Sequence, residues 1–141
     1  MTDLKMVKTV FLRAPRERVW EYLTEPDLLA RWFYLTEAPM REGQPYSMLR
    51  ENPETDDPRM LWGNVIKADR PNTLAYTFTH HGIPEGYKGI VEFELSDFAG
   101  GTQLILTHSH IDVPDDALWS EVSGTDVGWD EHLSRLRYAF N

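Results

Sequence analysis

Cysteine is absent from the 141 residues, which excludes disulfides, thiolate metal ligands and thiol nucleophiles together. No run of eighteen apolar residues occurs. The first twenty positions hold five basic side chains and no apolar stretch of signal-peptide length, so neither membrane insertion nor export is expected, and the cytoplasm is the expected location. Basic residues are scarce. Lys plus Arg number 14 against 23 Asp plus Glu, a net charge of −9 that repels phosphate backbones with no basic patch to offset it, so no nucleic-acid partner is expected. Missing too are a glycine-rich phosphate loop ending in Lys-Ser or Lys-Thr and a Gly-x-Ser-x-Gly elbow, which removes nucleotide hydrolysis and the serine-hydrolase template. The acidic run Glu51, Glu54, Asp56 and Asp57 is bracketed by Pro53 and Pro58 without a twelve-residue calcium pattern, and reads as a solvated hairpin tip.

What is present is apolar and rich in rings. Hydrophobic residues make up 41% of the chain and aromatics 12%, with five Trp, six Tyr and six Phe, too many for a disordered acidic chain. At this length folding removes roughly 68% of the unfolded accessible surface. One domain spanning 1–141 is expected.

Leu4, Met6, Val10, Leu12 and Ala14 share one parity, broken only by Lys8, which predicts a strand ending at Pro15. Val19, Trp20 and Leu23 then share a helical face. Thr24 can cap a second short helix with Pro26 in its first turn, carrying Leu28, Leu29, Trp32 and Phe33. From Gly43 onward, turn residues separate five short runs: Tyr46 to Glu51, Leu61 to Ala68, Thr73 to His80, Lys88 to Ser96 and Thr102 to Asp112. Asp115 can cap the last helix. Leu118, Val122, Thr125, Trp129, Leu133, Leu136 and Phe140 keep one helical phase, although Gly124 and Gly128 cost about 1 kcal/mol each relative to Ala and mark 123–126 as the place for a kink. The expected class is α+β: a six-stranded antiparallel sheet packed on a long C-terminal helix.

The stretch APRERVWEYLTEPDLLARWF, with Ala14, Pro15, Val19, Trp20, Arg31 and Trp32, resembles the opening of the activator of heat-shock-protein ATPase homologue branch of the START-like SRPBCC superfamily. GNVIKADRPNTLAYTF is similar to that family's Gly-x-Val strand and Pro-x-x-Leu turn, GGTQLILTH to its Gly-Gly-Thr hairpin, and GWDEHLSRL to its terminal-helix signature. The resemblance covers nearly the whole chain. It implies a helix-grip fold, a curved sheet wrapped around the terminal helix, with two short helices between strands one and two and an internal cavity that binds small hydrophobic or amphipathic molecules in many relatives. Related branches include aromatase/cyclase enzymes. The chaperone-activating member resembles two joined domains, whereas one is expected here, so a chaperone partner is not the leading expectation.

Strand parity supplies candidate walls: Tyr46 and Met48; Tyr76, Phe78 and His80; Phe93; and His108. Trp32 and Phe33 add to these, and so do Trp119, Val122, Thr125 and Trp129 of the last helix. The run from Leu61 to Ala68 is ambiguous, because Leu61 and Val65 compete with Trp62 and Ile66 for the inward face. The antiparallel order brings the ends of the strands bearing His80 and His108 together, gathering His80, His108 and His110 near Tyr87, with Asp112 on the same parity. These four, His80, His108, His110 and Tyr87, are the candidates for acid or base work. Head-group orientation and plain packing compete with that role, and no metal or cofactor is expected. His81 reads as a solvated turn residue and His132 as lying on the polar side of the last helix. The leading expectation is non-catalytic binding of a small lipid-like or aromatic molecule; a cyclase or dehydratase and a protein-interaction module are the alternatives. A homodimer through the outer sheet face, where Ile105 and Ile111 lie, is left open.

Overall fold

The computed structural model describes residues 2–50, 57–84 and 86–140. Of the acidic run, all but Asp57 lies outside the described residues. The elements are β1 (Thr2–Leu12), α1 (Arg16–Thr24), α2 (Pro26–Leu29), β2 (Leu35–Thr36), β3 (Pro45–Leu49), β4 (Arg59–Asp69), β5 (Thr73–Phe78), β6 (Lys88–Phe98), β7 (Gly101–Val113) and α3 (Leu118–Ala139). The strands form one antiparallel sheet in the order β1-β7-β6-β5-β4-β3-β2. Among the described residues it has seven strands where the sequence predicts six. The added one, β2, is two residues long and pairs Leu35 with Leu49 and Thr36 with Met48, too short to leave an alternation in the sequence.

Alternation explains which face is buried. Val10 and Leu12; Tyr46 and Met48; Leu74, Tyr76 and Phe78; Val91, Phe93 and Leu95; and Leu104, Leu106, His108 and His110 all turn inward. The ambiguous run is resolved in favour of Leu61 and Val65, with Ile66 exposed. Trp62 instead lies under the Arg59 guanidinium, 4.0 Å from its ring centroid. Lys8, which breaks the parity of β1, reaches Asp126 and Asp130 of α3 at 2.6 Å each. Burial works against its charge, but the two carboxylates outweigh that and hold its pKa above the ordinary lysine value.

Three local expectations are corrected. Thr24 does not cap α2: its hydroxyl donates to the Trp20 carbonyl within α1, and the N-cap position belongs to Glu25. Asp115 is likewise displaced, Ala117 being the N-cap of α3. Asp112 leaves the inward row because its φ of 58° flips the alternation. The register shift opposite Thr2 and Leu4 accommodates the extra β7 residue, so Val113 turns in and Asp112 stays exposed.

α3 runs unbroken through Gly124 and Gly128. Trp129, Leu133 and Leu136 anchor its second half in the core, and packing outweighs the glycine propensity cost. Gly63, in the Gly-x-Val segment, has a structural reason: a Cβ there would lie 2.3 Å from the Thr77 carbonyl oxygen. Because the contact is with backbone, Gly63→Ala is expected to lower stability by about 3 kcal/mol or more, read as a drop in urea midpoint at unchanged slope. A midpoint equal to that of the wild type would show that β4 and β5 separate without cost.

Candidate functional site

Where α3 loses its side chains, the grip opens. Gly124 and Gly128 lie four residues apart on one helix face, and a Cβ at either would meet nothing within 4 Å. Beneath them is a cavity of about 290 Å³ between α3, the segment after α2, Arg50 just past the end of β3, and the facing parts of β4 and β5. Phe33, Met60, Leu61, Phe78 and Trp129 form its apolar wall. Phe33 stacks on Trp129 at 5.1 Å between centroids, which joins the segment after α2 to α3. Its polar wall holds Tyr34, Arg50, His80, His81, Ser120, Glu121, Thr125 and His132.

Of the residues nominated from sequence, Phe33, Phe78, His80, Thr125 and Trp129 stand on this wall. Trp32, Tyr46, Met48, Tyr76, Phe93 and His108 are buried in the core behind it, because parity identifies the inward face but not where helix and sheet part. Val122 is half-buried and off the wall. Trp119 is 82% exposed: it follows Leu118 by one residue, about 100° around the helix, and so points outward. His81 is exposed, as its parity suggests, yet reaches the rim. His132 corrects its reading. It lies three residues after Trp129, on the same side of the helix, with its ring edge-on to Phe33 at 4.6 Å.

The four acid-base candidates fall into three arrangements. The rings of His108 and His110 stack at 4.3 Å and 4°. The Trp129 indole N–H donates to His108 Nδ1 at 2.9 Å, which leaves the proton of the neutral ring on Nε2. That atom is buried with no hydrogen-bond partner among the described residues. Burial, reinforced by the neighbouring His110 and His80, pushes the His108 pKa down to about 3.

His110 is fully bonded. Its Nδ1 lies 2.6 Å from the Tyr87 hydroxyl and its Nε2 3.2 Å from Thr125 Oγ1. Burial raises the Tyr87 pKa, with Glu121 adding to it, so the phenol keeps its proton and donates to Nδ1. Nε2–H then donates to Thr125, whose hydroxyl donates to the Glu121 carbonyl at 3.0 Å. Burial lowers the His110 pKa, against the pull of Glu121. His80 is different: Nε2 faces Glu121 Oε2 at 3.1 Å and Nδ1 faces the His81 carbonyl at 2.7 Å. Both ring nitrogens of His80 are thus engaged, and the ring ties Glu121 to the cavity wall.

Several wall residues escaped the sequence reading. Arg50 had a signal, because it continues the inward parity of Tyr46 and Met48. Its Nε is buried with no partner among the described residues, and a dry unpaired donor costs about 1–3 kcal/mol or more. Tyr34 neighbours it: burial raises that phenol's pKa, while Arg135 and Arg50 pull it back. Among the described residues no group of three or more His, Asp or Glu side chains converges as metal ligands, and no helix is long and apolar enough to cross a membrane.

Comparison with known proteins agrees with this architecture. A family profile described as Activator of Hsp90 ATPase homolog 1-like protein matches residues 13–141. No curated protein matches the chain. It is similar to the crystal structure of CalU16 from Micromonospora echinospora, at 26% identity over 94% of this chain and 73% of that one, with a TM-score of 0.71. DynU16, from the dynemicin biosynthetic locus, is 24% identical over 95% of this chain but only 46% of its own length, with a TM-score of 0.76. The Aha1 dimer of Colwellia psychrerythraea shares the fold at 19% identity, over 97% of this chain and 96% of that one, with a TM-score of 0.75. The strand order, the terminal helix and the profile spanning all but the first twelve residues lead to one assignment: the chain belongs to the activator of Hsp90 ATPase homolog 1-like family and has its helix-grip fold.

Proposed function

We propose that residues 1–141 act as one binding domain that holds a small hydrophobic or amphipathic molecule in the cavity under Gly124 and Gly128, without transforming it. The observation that carries this reading is the cavity itself: about 290 Å³, close to the lower end of small-molecule sites, with a mostly apolar wall and a few convergent polar groups. The buried histidines favour binding over catalysis. His108 stands behind Trp129, and both ring nitrogens of His110 are occupied by Tyr87 and Thr125, so neither offers a free proton acceptor to a substrate.

The test is a titration with the neutral dye N-phenyl-1-naphthylamine, preceded by native mass spectrometry of the freshly purified protein. Saturable binding of one dye per chain, competing with any co-purified molecule, is the expected result. A dye that never saturates, on a protein that carries no small molecule, would overturn the reading.

A cyclase- or dehydratase-type enzyme is the second reading, favoured by the unbroken chain Tyr87–His110–Thr125, which ends on the cavity wall. It requires a rate that falls roughly a hundredfold or more in His110→Ala. A homodimer remains a proposal, supported by the exposed outer-face residues Val7, Phe11 and Phe98, the last two in ring contact at 4.9 Å, rather than by Ile105 and Ile111, which are half-buried.

A further inference from the structure

We infer that the cavity selects small amphipathic monoanions, with an aromatic or aliphatic body against Phe33, Phe78 and Trp129 and a carboxylate head on Arg50. The inference rests on the cavity being a ligand site and names the class of ligand it takes.

Charge distribution is the first argument. In a chain of net charge −9, the cavity wall carries, among the described residues, one arginine and one carboxylate, Arg50 and Glu121. Glu121 is engaged by His80 at 3.1 Å, and its side chain is only 11% exposed. Like Arg13, Arg31, Arg41, Arg135 and Arg137, Arg50 has no ion-pair partner among the described residues, and among those residues it is the arginine whose guanidinium has a buried nitrogen without a hydrogen-bond partner. A guanidinium on an apolar cavity whose Nε is buried with no partner among the described residues carries an unmet donor, and buried polar groups in folded proteins are almost always satisfied.

The second argument is geometry and count. A guanidinium presents parallel N–H donors that match the two oxygens of a carboxylate. Tyr34 stands on the same wall, within the field of Arg50 and also of Arg135, and burial keeps its phenol protonated as a neutral donor beside the cation. One wall guanidinium and one phenol suit a single negative charge. A phosphate dianion would bring a second charge toward Glu121, and Glu131, which also acts on Tyr34, would add to the repulsion. Phe33, stacked on Trp129, lies next to Tyr34, their ring centroids 4.9 Å apart, so an apolar body on these rings leaves its head beside the phenol and Arg50.

The test uses displacement of bound N-phenyl-1-naphthylamine by 1-naphthoate and by its uncharged counterpart 1-naphthamide, on wild type, Arg50→Met and Arg50→Lys. Wild type is expected to bind naphthoate roughly tenfold or more tighter than naphthamide, the gain of one charge-assisted pair. In Arg50→Met that ratio should collapse to about one, whatever the variant's own affinity for the dye, because methionine replaces the apolar stem without the fork; Arg50→Lys should retain an intermediate preference. Equal affinity for acid and amide in wild type, or a preference that survives Arg50→Met, overturns the inference and leaves the binding function standing. Failure of the dye itself to bind the wild type overturns the binding function instead.

Discussion

Gly124→Leu is expected to weaken binding of N-phenyl-1-naphthylamine by roughly a factor of ten to a hundred, the 1–3 kcal/mol that overfilling a packed space costs, without unfolding the protein. The new side chain has room in the free protein, because a Cβ at Gly124 meets nothing within 4 Å. It would enter the cavity that Gly124 and Gly128 leave open. Helix propensity moves the other way, since replacing a helical glycine by a better helix former gains about 0.8–1.0 kcal/mol. Gly124→Ala isolates that term: a melting temperature higher by roughly 4 °C, with a smaller loss of affinity. The two readouts thus move in opposite directions. A Leu variant that melts higher and still binds the dye with wild-type affinity would show that the dye lies elsewhere.

Acid is expected to destabilise the protein steeply, and His108 is the main residue responsible. In the unfolded chain its imidazole takes a proton near pH 6.5; in the folded protein burial, with His110 and His80 alongside, delays this to about pH 3. Because the folded value is depressed, the stabilisation is whole above pH 6.5 and falls as pH drops toward 3. The slope is about 1.4 kcal/mol per pH unit, or about 2 kcal/mol between pH 6.5 and 5. Burial lowers His110 as well, and lowers His132 to about 4, so both act in the same direction over the same window. His108→Gln keeps an acceptor for the Trp129 indole and removes the titrating group. Urea midpoints at pH 7 and pH 5 should converge by roughly the loss of one proton in that variant; an undiminished acid loss would assign the effect to other groups.

Much of the fold was legible because its periods are local. The inward rows Leu74, Tyr76, Phe78 and Val91, Phe93, Leu95 follow from a period of two, and the phase from Leu118 to Phe140 survives both glycines because three large anchors, Trp129, Leu133 and Leu136, lie on it. Where a non-local contact decided, local rules failed. β2 exists only because β3 pairs with it, and Asp112 leaves its row only because β1 and β7 shift register there.

For the site, the division has a physical cause. By itself the sequence determined the family and the inward faces of the long strands, and from alternation and strand direction it led to the expectation that His80, His108, His110 and Tyr87 gather near one end of the sheet. Only the tertiary structure decided which inward residues face a void and which face one another. Trp32, Tyr76 and Phe93 pack among themselves in the core, whereas Arg50, Glu121 and His132 reach the cavity. A cavity is a gap between surfaces that are distant in sequence, and its position is set by where α3 lacks side chains opposite the curved sheet. No period along the chain encodes that distance.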